Sequence, residues 1–394
     1  MKTYDFDRIV DRHGTNAVKY DALTDVFGSK ELLPLWVADM DFPTAPAIVN
    51  AVKARAESGI YGYNIIPPEW NQAISNWWQT RHRYTIDPDS LIFATGVVPI
   101  ISSVVRKLTT PNENVVVLTP AYNIFFNSIE NNGRRVLECP LHYDGTRYTV
   151  DFADLADKLA DPQTSLMILC NPHNPGGMIW SREELAKIGT LAKQNGVVVV
   201  SDEIHCDLTD PEVTYTPFAA VSDECKYNSV TCISATKAFN IAGLQCAAAY
   251  AANPFIHHKV WRALNTDECA EPNTFAIDAT IAAFTEGGEW LDQLRATIAR
   301  NKRIATEFIG KNLPQIKVVE GKATYLMWLD CSAITDNSEQ LAEDIRSKTG
   351  LYLSDGVQYR GNGRYFLRMN VACPLTTLND ALNRLKTALD EKIR

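Results

Sequence analysis

Apolar residues along the chain change period repeatedly, and the changes predict a series of strands and helices. Runs rich in valine, isoleucine and leucine recur as NVVVLTP, RVLECPL, SLMILCNP, GVVVVSDEIH and the VTCIS that leads into SATK. Each is bounded by turn-forming residues, which is the signature of buried strands. Between them apolar positions take helical spacing, from Ile124 to Asn131, near Asp151 to Ala160, and from Ser181 to Gln194. Strands alternating with helices predict a parallel sheet. Near-continuous valine runs predict strands covered on both faces.

Ahead of this series a helix is predicted from Ala47 through Ser58, with Gly59 as its C-cap and the turn GIYGYN beyond. A second is predicted from Pro68 to His82, where Trp70, Ile74, Trp77 and Trp78 recur at helical spacing. LIFATGVVPIISSVVRKL reads as a strand, a loop at Thr95-Gly96-Val97, and a helix. After SATK, LQCAAAYAANP reads as another strand and residues 256–309 as mostly helical. From residue 318 the pattern restarts with VVEGKATYLMWLD, a helix from Ser338 to Thr349, LYLSDG, YFLRMNVACP, and a final helix from Thr377 to Lys392.

The expected fold class is therefore α/β, in three parts. Residues 1–47 form an arm that packs with the small domain, 48–288 a large domain whose mainly parallel sheet is covered by helices, and 289–394 a smaller α/β domain. The arm carries LPLWVADMDF among Pro34, Pro43 and Pro46. There Asp39 and Asp41 alternate with Met40 and Phe42, a pattern that also fits a solvated strand edge.

Composition narrows the function classes. Of 394 residues 46% are hydrophobic and 22% charged, as in an ordinary globular protein. A net charge of −9 opposes nonspecific contact with nucleic acid or an anionic membrane. No apolar stretch approaches the roughly 20 residues of a spanning helix, and MKTYDFDRIVDRHG has no apolar signal core, so the expected location is cytoplasmic. Nine cysteines without a CxxC pair predict neither a disulfide framework nor a zinc site, and no HExxH is present, so no metal is expected. The absence of GxxxxGK[ST] removes a P-loop ATPase.

In sheets of this kind ligands bind outside the carboxyl ends of the strands. Asn174 in CNPHNPGG, Asp202 in VVVVSDEIH, and Lys237 in SATKAF all fall at such ends. They lie 28 and 35 residues apart, enough for a helical crossover between successive strands. A lysine buried there has a lowered pKa, and a neutral amine is what Schiff-base chemistry with an aldehyde requires. An ionised Asp202 could hold a proton on a ring nitrogen, and Asn174 could donate to a phenolic oxygen. Ser234, Thr236 and the amides at Gly96 and Val97 supply donors for a phosphate. The inventory fits pyridoxal phosphate.

The set TPAY, NPHNPGG, SDEIH, SATKAFNIAGL and FLRMNVACP, in this order, resembles the fold-type I pyridoxal-phosphate enzymes related to class I and II aminotransferases. LPLWVADMDF, YGY, SDEIH and KAFNIAGLQ resemble the MalY/PatB-type cystathionine β-lyases within that group, and the likeness covers essentially the whole chain. It implies that Lys237 bonds the cofactor aldehyde, Asp202 partners the pyridine nitrogen, Asn174 contacts the ring hydroxyl and Tyr122 stacks on the ring. Gly96, Val97, Val98, Ser234 and Thr236 would hold the phosphate. Tyr63 would reach it across a homodimer interface with shared active sites, and Arg368, with Asn174, Val37 and Ala38, would bind the substrate.

Two departures from the aminotransferase pattern accompany this likeness. Gln245 stands where aminotransferases commonly carry a phosphate-binding arginine, and His205 where their tyrosine contacts the ring hydroxyl. Both resemble the lyase subgroup. The implied reaction is β-elimination from cystathionine or related thioethers, giving a thiol, pyruvate and ammonia, with an aminotransferase as the alternative. Tyr63, Tyr122 and Lys237 are the candidates for protonating the departing sulfur. His205 also fits a packed core histidine.

Overall fold

The computed structural model describes residues 3–22 and 32–393. Its centre is a seven-stranded sheet in the order Leu91–Ala94, Ala247–Tyr250, Ser229–Ile233, Val198–Asp202, Thr164–Cys170, Asn114–Thr119, Arg135–Pro140. Ala247–Tyr250 runs antiparallel to both neighbours, and the remaining pairs are parallel. The valine-rich runs are buried on both faces, as their composition demands. Helices including Val97–Leu108 and Pro254–Thr266 pack on one face, and Phe152–Ala160 and Arg182–Gln194 on the other.

Helix starts follow local chemistry. Ser181 accepts from the Glu184 amide while Glu184 returns to the Ser181 amide, a capping box that sets the first turn of Arg182–Gln194. Asp151 accepts from the amides of Ala153 and Asp154 at the start of Phe152–Ala160. The tryptophan-bearing helix runs Pro68–His82 as the spacing predicts, with Trp70, Trp77 and Trp78 buried.

A second, antiparallel sheet has the order Lys317–Val318, Leu326–Asp330, Phe366–Asn370, Ser354–Asp355. Trp328 stacks on Phe366 at 5.1 Å, and its Nε1 donates to the Tyr148 hydroxyl of the larger body at 3.1 Å. The NPGG loop also meets this side closely. A Cβ added at Gly177, whose φ is +68°, would lie 2.9 Å from the Ala323 carbonyl, so both conformation and space call for glycine.

The arm bridges the two bodies. Leu33–Pro34 pairs in parallel with Leu351–Tyr352, and Leu35 is buried in the core beneath the smaller sheet. A few residues later Met40, Phe42 and Ala45 join the core of the larger body. Asp39 and Asp41 do not form a solvated strand edge. Asp41 is buried, and both carboxylates are engaged by Arg12 and Lys19.

Candidate active site

Five strand ends of the large sheet open onto one cavity of about 200 Å³. It is lined by Ala38, Gly96, Val97, Val98, Tyr122, Asn174, Asp202, His205, Thr236, Lys237 and Gln245, among others. Asn174, Asp202 and Lys237, far apart in sequence, meet there because strands 164–170, 198–202 and 229–233 are parallel neighbours.

Lys237 donates from Nζ to the Ala38 carbonyl at 2.6 Å. Burial, reinforced by the nearby Arg368 guanidinium, lowers its pKa to about 8. A substantial fraction is therefore neutral near physiological pH. Asp202 is buried and accepts from the Ile204 amide at 3.1 Å; burial raises its pKa to about 6. A cationic ring nitrogen beside it would reverse that shift.

The turn after strand 229–233 is held by its own hydroxyls. Ser234 Oγ donates to the Cys246 carbonyl at 2.7 Å, accepts from the Thr236 amide at 3.1 Å and lies 2.7 Å from Thr236 Oγ1. Opposite, helix Val97–Leu108 begins after Gly96 with no side-chain cap, so the amides of its first turn remain available for an anion. The uncapped helix start fits a phosphate, and Gln245 adds an amide without a positive charge; Ser234 does not line the cavity, and its hydroxyl proton goes to the Cys246 carbonyl.

Arg368 is buried. Its Nη1 donates to Asn174 Oδ1 at 3.2 Å and Nη2 to the Trp36 carbonyl at 2.7 Å, while Nε has no partner among the described residues. Held by neutral acceptors alone among the described residues, this buried guanidinium keeps a positive charge and N–H donors that a carboxylate could match. Val37 contributes its carbonyl to Asn370 Nδ2 at 2.7 Å and does not line the cavity. Tyr63 is fully exposed, at 101%, and lies outside the cavity of its own chain.

His205 lines the cavity, is buried, and has Nδ1 without a partner among the described residues. Burial, with the positive charges of Lys237 and Arg368, lowers its pKa to about 3. Between that value and the ordinary 6.5 the unfolded chain binds a proton there that the native chain does not, so stability falls as pH falls. Glutamine cannot titrate. In the cofactor-free protein, His205→Gln should thus gain stability relative to the parent by about 2 kcal/mol between pH 7 and pH 5. Urea unfolding at the two pH values checks this, and a pH-independent difference would refute it.

Several contributors carry no motif of their own. The Tyr325 hydroxyl donates to the Ala38 carbonyl at 2.9 Å, and Trp36 supplies the carbonyl that meets Arg368. Asn240, inside KAFNIAGL, accepts from the Met40 amide and donates to the Met40 and Phe42 carbonyls. Its place three residues after Lys237 was the available signal. Outside the cavity, His82, Cys206 and Asp207 bring potential metal-ligand atoms within 4.8 Å of one another. Asp207 Oδ1 already accepts from Trp77 Nε1 at 2.9 Å and pairs with His82 Nε2 at 3.0 Å, and burial pushes the Cys206 thiol well up.

Residues 30–385 match the family described as aminotransferase class I and II. The chain is 42% identical to cystathionine beta-lyase PatB of Bacillus subtilis strain 168, over 98% of this chain and 99% of that one. It is 32% identical to protein MalY of Escherichia coli K12, again over 98% and 99% of the two chains. Among solved structures it superposes on cystalysin from Treponema denticola, which contains a pyridoxal 5′-phosphate cofactor. The TM-score is 0.96 and the identity 30%, covering 99% of this chain and 100% of that one. The chain therefore belongs to the class I and II aminotransferase family, in the branch that holds PatB and MalY.

Proposed function

We propose that this protein is a pyridoxal-phosphate-dependent carbon–sulfur lyase. It consumes cystathionine, or a related cysteine S-conjugate, and water, and releases a thiol, pyruvate and ammonia. The observation that carries this is the convergence of Lys237 and Asp202 on one buried cavity, with Arg368 bonded to Asn174 of its lining and close enough to depress the Lys237 pKa. The similarity to PatB, a named cystathionine beta-lyase, supports the substrate class.

The bound cofactor supplies an electron-accepting ring that stabilises negative charge at the substrate α-carbon. Lys237 would bond its aldehyde, Asp202 would hold the pyridine nitrogen protonated, and Asn174 with His205 would face the ring hydroxyl. Gly96, Val97, Val98, Ser234 and Thr236 would hold the phosphate, and Tyr122 would pack on the ring. Arg368 would bind the substrate carboxylate bidentately, alongside Asn174 and the Val37–Ala38 segment. The neutral Lys237 amine is then the base for the α-proton. Lys237, Tyr122 and Tyr63 are the available proton donors to sulfur.

The site is completed by a second copy of the chain. Ile60, Tyr61, Tyr63 and Ile65 are exposed apolar side chains on one short segment, as an interface would require. Tyr63 then reaches the partner's cleft. The arm, large and small domains are taken as 1–47, 48–288 and 289–394, which the arm's pairing with Leu351–Tyr352 supports. Among the described residues no helix is long and apolar enough to cross a membrane. The proposed location is cytoplasmic.

Incubation with cystathionine tests the reaction. Pyruvate and thiol in equal amounts are expected, whereas amino transfer to an oxoacid without thiol release would favour the aminotransferase. In the same preparation a fully active monomer by sedimentation would remove Tyr63 from the site.

A further inference from the structure

The segment Trp36–Asp41 touches the site almost entirely through its backbone. The Trp36 carbonyl meets Arg368, and the Ala38 carbonyl accepts from both Lys237 and Tyr325. Asn370 Nδ2 donates to the carbonyls of Val37 and Asp39 at 2.7 and 2.6 Å. Backbone carbonyls aim correctly only if the segment itself is fixed. Its own side chains show how.

Arg12 forks onto Asp39, with Nη1 to Oδ1 at 3.1 Å and Nη2 to Oδ2 at 2.6 Å. The same Nη1 reaches Asp41 Oδ1 at 2.8 Å and the Met40 carbonyl at 3.2 Å. From the other side Lys19, which is 0% exposed, places Nζ 2.7 Å from Asp41 Oδ2 and 3.8 Å from Asp39 Oδ1. Two cations and two carboxylates therefore close on one another, shielded on one side by the Tyr20 ring, 5.3 Å from the Arg12 guanidinium.

We propose that Arg12 and Lys19 are positioning residues, whose four-charge clamp with Asp39 and Asp41 holds the strap 36–41 so that its carbonyls meet Lys237 and Arg368. A clamp that is charge-balanced and closed has no vacancy for a substrate group, so its role is mechanical. It sets the orientation of Lys237 Nζ through Ala38 and of Arg368 through Trp36. Asp39 also places a negative charge near Lys237, favouring its protonated form. Arginine serves position 12 better than lysine would, because one planar group engages two carboxylates.

The inference rests on Lys237 being the reacting amine, and its test separates the two ideas. In the cofactor-free protein, modification of Lys237 by trinitrobenzenesulfonate, followed by peptide mass spectrometry, reports the placement of the amine without turnover. Arg12→Met should accelerate that modification about fivefold and lower kcat of the loaded enzyme by about ten- to a hundredfold, the scale of an ångström-level misplacement. Arg12→Lys should restore part of both. If Arg12→Met fails to fold, Asp39→Asn, at a partly exposed position, carries the same two readouts. Lys237 reactivity and kcat both within twofold of the parent would overturn the clamp, as would a loss of kcat with Lys237 reactivity unchanged. Intact turnover in Lys237→Ala would instead remove Lys237 as the reacting amine and leave the reactivity result standing.

Discussion

Lys237→Ala is expected to reduce the rate of β-elimination by about a thousandfold or more, equivalent to ~4 kcal/mol of transition-state stabilisation. The expected effect is large because in the proposed reaction one amine would serve twice, bonding the cofactor aldehyde and taking the α-proton. In a bulk-solvated lysine neither role is available at neutral pH, since the amine is almost wholly protonated. Here burial and Arg368 bring the pKa to about 8. The variant should also lose any borohydride-reducible bond between cofactor and protein. Retention of such a bond would place the reacting amine elsewhere.

Arg368→Lys should lower kcat/KM by about a hundredfold, or ~3 kcal/mol, mostly through KM. Lysine keeps the charge and loses the fork, so it cannot engage a carboxylate with two parallel hydrogen bonds while still reaching Asn174 and the Trp36 carbonyl. Comparison with a substrate analogue lacking the α-carboxylate separates recognition from general damage. The parent should strongly prefer the carboxylated substrate, and the variant should lose most of that preference. If the variant discriminates as well as the parent, Arg368 is not the carboxylate receptor.

Much of the large body was legible in the sequence because valine-rich strands and amphipathic helices have distinct periods. The helices Pro68–His82 and Ser338–Thr349 fall where spacing placed them. The site was legible in part for a related reason. Asn174, Asp202 and Lys237 each stand at the end of an apolar run, and parallel strands bring such ends to one edge.

The arm was harder. In LPLWVADMDF, alternation of Asp39 and Asp41 with Met40 and Phe42 is what a half-exposed strand would show. The partners that neutralise those carboxylates lie twenty or more residues earlier, in a segment with no regular period. Trp36 and Ala38 act through carbonyl oxygens, which every residue type carries, so no sequence signal distinguishes them.

Residue type and order thus determined the α/β fold, the strand ends that meet at one cavity, and the candidate set of amine, carboxylate and amide, because burial periodicity and functional-group chemistry are local properties. Only the tertiary structure decided that Ala38 faces Lys237, that Arg368 is buried with an Nε that has no partner among the described residues, and that Arg12 and Lys19 close on Asp39 and Asp41. Those relations depend on distances between groups remote in the chain, which the pattern of apolar and polar residues does not encode.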